Sequence, residues 1–149
     1  MLQPGNPAPA FDAVDQHGHR HRLADYAGRT VVLYFYPKDD TPGCTAQACD
    51  LRDNYHRFEA AGYALLGVST DDAASHAKFA EKFTLPFPLL ADPDKQLVEA
   101  YGVWQEKKNY GRTYWGTVRT TFVIGPDGLI ARVINKPDTK AHTAQVLSA

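Results

Sequence analysis

The feature that most constrains this chain is a short apolar run that leads at once into a proline, a threonine and a cysteine. Residues 31–36 read Val-Val-Leu-Tyr-Phe-Tyr, a continuous run rich in β-branched and aromatic residues, which is typical of a buried inner strand. Pro37 ends that strand, Thr41 suits a helix N-cap and Pro42 suits the first helical position. Cys44 therefore falls third in the helix, where unpaired N–H groups and the positive end of the dipole favour a reactive thiolate.

Length and composition predict a single compact domain over residues 1–149. Of the 149 residues 44% are hydrophobic, which is enough for one core. A formal net charge of -1 and the lack of long basic runs argue against charge-driven binding to nucleic acid or membranes. No apolar stretch approaches the roughly 18 residues of a membrane span, and residues 1–7 lack a signal-peptide pattern. We therefore expect a cytoplasmic protein.

The order of helix and strand patterns predicts an α/β fold. The helix that carries Cys44 shows apolar residues at steps of four and three as far as Phe58, and it is expected to end at Gly62. Residues 63–69 form a second inner strand, so the β-α-β order implies a parallel pair. The further predicted elements are an N-terminal hairpin with its turn at residues 16–19, a helix capped by Asp71 or Asp72 and running through Phe83, a short helix between Asp92 and Gly102, a hairpin of residues 120–124 and 129–134, and a short terminal helix from about Asp138.

The chain contains two cysteines, Cys44 and Cys49. In a reducing cytosol such a pair is more often catalytic or redox-sensing than a structural cross-link. Five residues along an ideal helix place two Cα atoms about 8–9 Å apart, whereas a disulfide requires less than about 7 Å. A bond between these two thiols would therefore require local unwinding of the helix, unlike a bond within a Cys-x-x-Cys site.

The sequence around Cys44 resembles the active-site motif of the peroxiredoxins, Pro37-x-x-x-Thr41-x-x-Cys44. The longer run of residues 41–49, Thr-Pro-Gly-Cys-Thr-Ala-Gln-Ala-Cys, is similar to the bacterioferritin comigratory protein subfamily, also called peroxiredoxin Q. Similarity covers nearly the whole chain, continuing through residues 65–71, 85–92, 101–104 and 119–124. It implies a thioredoxin fold with an N-terminal hairpin extension and a central mixed β-sheet flanked by helices.

The resemblance implies roles for five residues. Cys44 would be the peroxidatic cysteine, which attacks the peroxide O–O bond and becomes a sulfenic acid, and Cys49 the resolving cysteine that then forms a disulfide with it. Thr41 would hydrogen-bond the thiolate and the peroxide, and Pro37 would shield the site from water. Arg119 would place its guanidinium beside both, where preorganised donors stabilise the charge that develops on the departing oxygen.

The implied activity is that of a thioredoxin-dependent peroxidase. Its substrates would be hydrogen peroxide and organic hydroperoxides, and thioredoxin or a similar thiol reductant would recycle it. No cofactor and no metal are expected, because two thiols five residues apart lack the usual zinc-ligand spacing. An intramolecular cysteine pair removes the chemical need for a dimer, so we predict a monomer.

Some positions keep a second interpretation. Gln47 stands where the subfamily usually has Glu, so it retains hydrogen-bonding capacity but lacks the charge. Cys44 could be a buried structural thiol, Cys49 a bystander beside an external resolving thiol, and Arg119 a surface ion-pair partner. The same two cysteines could also serve a protein disulfide oxidoreductase, although the Cys-x-x-Cys expected of that class is absent.

Two further clusters have structural and functional interpretations. His17, His19 and His21 would share one face of an extended segment and permit a metal site, although an exposed hairpin face is favoured. A set of aromatic residues between positions 101 and 115 could form an apolar rim for organic hydroperoxides or cover the sheet edge; these are Tyr101, Trp104, Tyr110, Tyr114 and Trp115.

Overall fold

A five-stranded mixed β-sheet forms the centre of the computed structural model, which describes residues 2–148. Met1 and Ala149, the two ends of the predicted domain, lie outside the described residues. The strands are β1 (Asp12–Val14), β2 (Arg20–Arg22), β3 (Val31–Phe35), β4 (Ala64–Ser69), β5 (Leu89–Ala91), β6 (Trp104–Asn109), β7 (Arg112–Thr117), β8 (Thr120–Ile124) and β9 (Ile130–Ile134). The α-helices are α1 (Pro42–Asp53), α2 (Tyr55–Ala60), α3 (Ala73–Phe83), α4 (Gln96–Ala100) and α5 (His142–Leu147), and Leu23–Tyr26 forms a 3₁₀ helix.

The central sheet has the strand order β5-β4-β3-β8-β9. Strand β3 pairs in parallel with β4 and antiparallel with β8, which in turn pairs antiparallel with β9. The predicted inner strands, their parallel pairing and the C-terminal hairpin are thus confirmed, as is the mixed sheet flanked by helices. In the β3–β8 register Phe35 lies opposite Thr120, so the chain just before β8 meets the end of β3 from which the cysteine helix departs.

Each face of the sheet packs into its own hydrophobic core, because successive side chains of a strand point to opposite faces. On one face, Val32 and Tyr34 of β3 pack with buried residues of α1, α2 and α3, among them Leu51, Phe58 and Phe79. The opposite face packs against the N-terminal segment and α4, with the buried residues Phe11, Leu33, Phe35, Leu97 and Val98. Both cores consist of side chains that are almost completely buried, and β3 lies between them.

The predicted cysteine helix is interrupted at Asn54, so its expected continuous run to Gly62 was wrong. The side-chain Nδ2 of Asn54 donates to the carbonyl of Asp50 at 2.8 Å, the acceptor that the Asn54 backbone N–H would use in an unbroken helix. The chain resumes as α2, which buries Phe58 as the spacing predicts, and Gly62 adopts a φ of 75° just after it.

Two other boundaries differ from those that the sequence predicts, and one hairpin was not predicted. The short helix after Asp92 begins at Gln96, because the Asp92 carboxylate accepts the N–H groups of Leu97 and Val98 and caps the helix from a distance. The last helix begins at His142 rather than near residue 138. Strands β6 and β7 form a separate two-stranded hairpin that the sequence analysis missed, with its turn at Tyr110 and Gly111, where φ is 51° and 75°.

No helix within residues 2–148 combines the length and the apolar character that crossing a membrane would require.

Candidate active site

The loop between β3 and α1 places Cys44 third in the helix, as the sequence predicts, and buries it. Thr41 is the N-cap of α1 and has an extended backbone, Pro42 is the first helical residue, and Cys44 is only 2% exposed. The Thr41 side chain does not cap the helix: its hydroxyl donates to the Lys38 carbonyl at 2.8 Å. In this conformation the one hydroxyl proton of Thr41 is donated within its own loop.

Arg119 links Cys44 to Gln47. Its Nη2 donates to Cys44 Sγ at 3.3 Å, and its Nη1 donates to Gln47 Oε1 at 2.6 Å. A Cβ on Gly43 would lie 3.3 Å from Nη2, so glycine at that position leaves room for the close approach of the guanidinium. The contact depends on the β3–β8 pairing, because Arg119 immediately precedes Thr120 at the start of β8.

Two buried polar groups beside the thiol have no hydrogen-bond partner among residues 2–148. They are the Nε2 of Gln47, whose side chain is completely buried, and the hydroxyl of Tyr34. Burial raises the pKa of Tyr34 well above its ordinary value, and negative charge at Cys44 raises it further, so this hydroxyl stays neutral. Tyr34 and Gln47 therefore give the thiol neutral, buried surroundings, and the charged group that contacts the Cys44 sulfur is Arg119.

The two cysteines are both free and lie on the same intact helix. Cys44 is buried, whereas Cys49 is half-buried on another side of α1. Pro37, also half-buried, follows Tyr36 at the end of β3 and starts the loop that leads to Thr41. The structure thus brings Arg119 and Gln47 to Cys44, while Cys49 remains apart in this helical conformation.

A buried hydrogen-bond network fixes the loop that precedes α1, and the sequence analysis missed it. The Asp39 carboxylate lies within hydrogen-bond distance of three side chains, Tyr36 (2.5 Å), Ser75 (2.8 Å) and His76 (2.7 Å). The backbone N–H of Asp39 donates to Asp71 at 2.8 Å. One signal was available, since His76 occupies the apolar face of α3 with Phe79 and Ala80, where a polar residue requires a partner.

Among the described residues, one group has metal-ligand atoms close together, namely Asp39, Asp71 and His76, whose atoms lie within 4.8 Å of one another. The hydrogen bonds of that network account for the arrangement, and the second His76 nitrogen lies 2.9 Å from the Leu90 carbonyl. The histidines of the N-terminal hairpin differ in burial. His21 is half-buried and bonds Asp15 and Tyr26, whereas His17 and His19 lie exposed in the turn with their ring centroids 6.0 Å apart.

The aromatic residues between positions 101 and 115 differ in burial. Tyr101 is completely buried in the core and Trp104 packs against that core. Tyr110, Tyr114 and Trp115 are exposed on the β6–β7 hairpin. On the same hairpin the Lys107 ammonium donates to the Thr117 carbonyl at 3.0 Å, and burial followed by the charge of Arg119 lowers the pKa of Lys107.

Comparison with known proteins gives consistent matches over the length of the chain. A family model described as the AhpC/TSA family matches residues 4–133. Peroxiredoxin Bcp of Escherichia coli K12 is 46% identical over 147 residues, which are 99% of this chain and 94% of that protein. Peroxiredoxin Bcp of Bacillus subtilis is 44% identical over 146 residues, or 98% and 93% of the two chains.

Solved structures show the same fold. The bacterioferritin comigratory protein of Xanthomonas campestris superposes with a TM-score of 0.87 at 36% identity, covering 92% of this chain and 87% of that one. A mixed sheet of this topology, with a buried cysteine at a helix start beneath an arginine, defines a thioredoxin-fold peroxidase of the peroxiredoxin class. The chain belongs to the AhpC/TSA family. The family, fold and enzyme class predicted from the sequence are confirmed: the protein is a peroxidase of the peroxiredoxin class.

Proposed function

We propose that Cys44 is the peroxidatic cysteine and that Cys49 resolves it. In the first step the Cys44 thiolate attacks one peroxide oxygen, the O–O bond breaks, and the other oxygen leaves as an alkoxide or hydroxide that takes a proton. Sulfur is oxidised to the sulfenic acid and the peroxide is reduced to an alcohol or water. The observation that carries this proposal is the 3.3 Å contact between Arg119 Nη2 and Cys44 Sγ in a buried site.

Arg119 serves two purposes in this proposal. Its positive charge next to sulfur favours the thiolate, and its other N–H groups can bond the departing oxygen as negative charge develops there. The Gln47 amide oxygen holds the guanidinium in place without neutralising it, because an amide carries no charge. The unpartnered Gln47 Nε2 is a further donor inside the same buried environment.

Thr41 and Pro37 complete the proposed site. Pro37 offers an apolar ring without an N–H donor at the start of the loop, which suits the exclusion of water. The Thr41 hydroxyl donates to the Lys38 carbonyl in this conformation. To donate to a bound peroxide it must rotate, so we propose that substrate binding exchanges the Lys38 bond for a bond to the peroxide.

The second step requires the helix to open. The Cys49 thiolate attacks the sulfenic sulfur of Cys44, the S–S bond forms, the S–O bond breaks and the hydroxyl leaves as water after taking a proton. Because both cysteines lie in the intact α1, the residues between them must leave helical geometry for the sulfur atoms to meet. A dithiol reductant, for which we propose a thioredoxin, then restores both thiols.

We propose hydrogen peroxide and organic hydroperoxides as substrates. The X. campestris relative is described by its alkyl peroxide reduction activity, and the exposed aromatic residues of the β6–β7 hairpin give this chain an apolar surface that suits an alkyl group. We further propose that the enzyme is a monomer in which the whole chain is one catalytic domain, because an intramolecular cysteine pair requires no partner subunit. We propose a cytoplasmic location, since a reducing compartment keeps Cys44 and Cys49 as thiols.

The deciding experiment measures hydrogen peroxide-dependent NADPH oxidation in the presence of thioredoxin and thioredoxin reductase. Wild-type protein should turn over and Cys44→Ser should not. Without reductant, one equivalent of peroxide should form the Cys44–Cys49 disulfide, whereas Cys49→Ser should react once and stop at the sulfenic acid. Retained turnover in Cys44→Ser, or a wild-type thiol that peroxide leaves unoxidised, would contradict the proposal.

A further inference from the structure

Asp50, the residue directly after Cys49, joins α1 to the last helix. Its Oδ2 accepts the backbone N–H of Thr143 at 2.7 Å, although the two residues are separated by 93 positions. The residue at the N-cap of α5 is Ala141, which has no side chain that could cap a helix. Asp50 therefore supplies from α1 the cap that α5 lacks, and Thr143, at 1% exposure, is buried in this contact.

The backbone of Asp50 is held as firmly as its side chain. Its carbonyl accepts the side-chain amide of Asn54 at 2.8 Å, the bond that interrupts the helix, and the Thr143 hydroxyl lies 3.4 Å away. A carboxylate near the C-terminal end of a helix is opposed by the helix dipole. The position of Asp50 is thus explained by its contact with α5 rather than by the stability of α1.

Helix α5 is in turn fixed to the central sheet. His142 bonds the Thr121 hydroxyl of β8 at 2.8 Å, and Arg132 of β9 donates to the carbonyls of Gln145 and Val146. Val146 is buried in the same core as Leu51. Through α5, Asp50 is consequently connected to strands β8 and β9 of the central sheet.

The helix upstream of Asp50 is held differently. In the part of the chain that the structure describes, the side-chain hydrogen bonds from residues 42–49 to the rest of the protein are those of Cys44 and Gln47 with Arg119. Oxidation of Cys44 changes the sulfur that makes one of these bonds. The side-chain hydrogen bonds that hold residues 42–49 to the rest of the protein are therefore at Arg119, where oxidation takes place. The next residue, Asp50, is held separately by its bond to Thr143.

We propose that Asp50 is a positioning residue for the resolving step, fixing the downstream limit of helix unwinding at residue 50. This inference rests on the proposed disulfide between Cys44 and Cys49. With Asp50 held on α5, only the short segment between the cysteines is released, so Cys49 stays at high effective concentration near the sulfenic acid. If unwinding continued past residue 50, both ends of the segment would move and the encounter of the two sulfur atoms would become rarer.

The test separates the two chemical steps. Reduced protein is mixed with one equivalent of hydrogen peroxide, and samples quenched over time are analysed for sulfenic acid at Cys44 and for disulfide. Asp50→Ala removes the acceptor, Asp50→Asn keeps an oxygen that can accept the Thr143 N–H, and Asp53→Ala is the matched control. Asp53 is an exposed aspartate of the same helix whose ion pair is with its neighbour Arg52.

We expect sulfenic acid to form within about twofold of the wild-type rate in all variants, since none of them touches the Arg119 contact. Disulfide formation should slow by about tenfold in Asp50→Ala and remain near wild type in Asp50→Asn and Asp53→Ala. Excess peroxide should then convert Asp50→Ala to the sulfinic acid sooner, because the sulfenic acid persists. An unchanged disulfide rate in Asp50→Ala, or equal slowing of both steps, would overturn the proposal.

Hydrogen exchange on the wild-type protein tests the same inference without a substitution. In the oxidised form, amides of residues 43–49 should exchange faster than in the reduced form while the Thr143 amide stays protected. Loss of Thr143 protection on oxidation would overturn the proposal even if Asp50→Ala failed to fold. Failure of the proposed function gives a different result: Cys49→Ser, with Asp50 intact, would form no sulfenic acid at Cys44.

Discussion

Arg119 and Cys44 meet at 3.3 Å although 75 positions separate them in the sequence. The contact arises because β8 runs antiparallel to β3, which sets the start of β8 against the end of the strand that leads to the cysteine. The same guanidinium binds Gln47, so one arginine connects the strand pairing of the central sheet to two positions on α1. The reactivity of Cys44 should therefore depend on the geometry of Arg119 as well as on its charge.

Replacing Arg119 should slow the oxidation of Cys44 by about 10²–10³, the usual effect of losing one preorganised donor. Arg119→Lys should recover little of this loss, because an ammonium is a point charge and cannot bond sulfur and the Gln47 amide with the same planar fork. The measurement is the second-order rate constant of thiol loss with hydrogen peroxide. Arg20→Ala, which removes an exposed hairpin arginine, is the control and should react as wild type.

Gln47→Glu should slow the oxidation of Cys44. A carboxylate at this position would neutralise part of the Arg119 charge that faces the sulfur, so the arginine should stabilise the developing negative charge less well, and the rate should fall by about tenfold. The second-order rate constant of thiol loss with hydrogen peroxide at fixed pH measures this effect. The exposed Gln3→Glu serves as control, and a Gln47→Glu rate equal to that of wild type would contradict the predicted charge effect.

Tyr34→Phe and Tyr36→Phe should differ in stability although the two rings stack at 5.5 Å and both are buried. The Tyr34 hydroxyl has no hydrogen-bond partner among residues 2–148, so removing it should change the free energy of unfolding by less than about 1 kcal/mol or increase it. Tyr36 donates to Asp39 at 2.5 Å, and losing that bond should cost about 1–3 kcal/mol. Urea denaturation of the two variants provides the comparison, and equal losses would refute the assignment.

Stability should fall as the pH drops through about 6.5, with His142 contributing to the loss. Burial lowers the pKa of His142 below 6.5, more than the Gln145 hydrogen bond and the Asp50 charge raise it. As the pH falls below this value, the unfolded chain binds a proton at this site that the folded chain does not, so the free energy of unfolding decreases as the pH falls. Melting temperatures at about pH 7.5 and 5.5 measure the effect.

Two variants isolate that histidine. His142→Asn should show a smaller drop in melting temperature between the two pH values than wild type, whatever its stability at the higher pH. His56→Asn, which alters an exposed histidine on α2, should show the wild-type drop. If the three proteins lost stability in parallel, another group would be responsible for the pH dependence.

Local sequence signals were sufficient to place Cys44. An apolar β-branched run, a terminating proline and a good helix start lie within fourteen residues of one another, and each acts on its immediate neighbours, so residues 31–44 could be interpreted without knowing the rest of the fold. The interruption at Asn54 could not be placed in this way. The choice between helix continuation and an Asn54 bond to the Asp50 carbonyl depends on tertiary contacts that hold Asp50 in position.

The sequence by itself determined the α/β class, the inner strands, the position of Cys44 at the start of its helix and the separation of Cys44 from Cys49 while that helix is intact. The tertiary structure alone decided which distant groups surround them: Arg119 and Gln47 at the thiol, His76 at Asp39, and Thr143 at Asp50. The physical reason is the sequence separation of the residues that interact. Helix and strand patterns follow from interactions between residues a few positions apart, whereas these partners meet only after the sheet has set which strands and helices are neighbours.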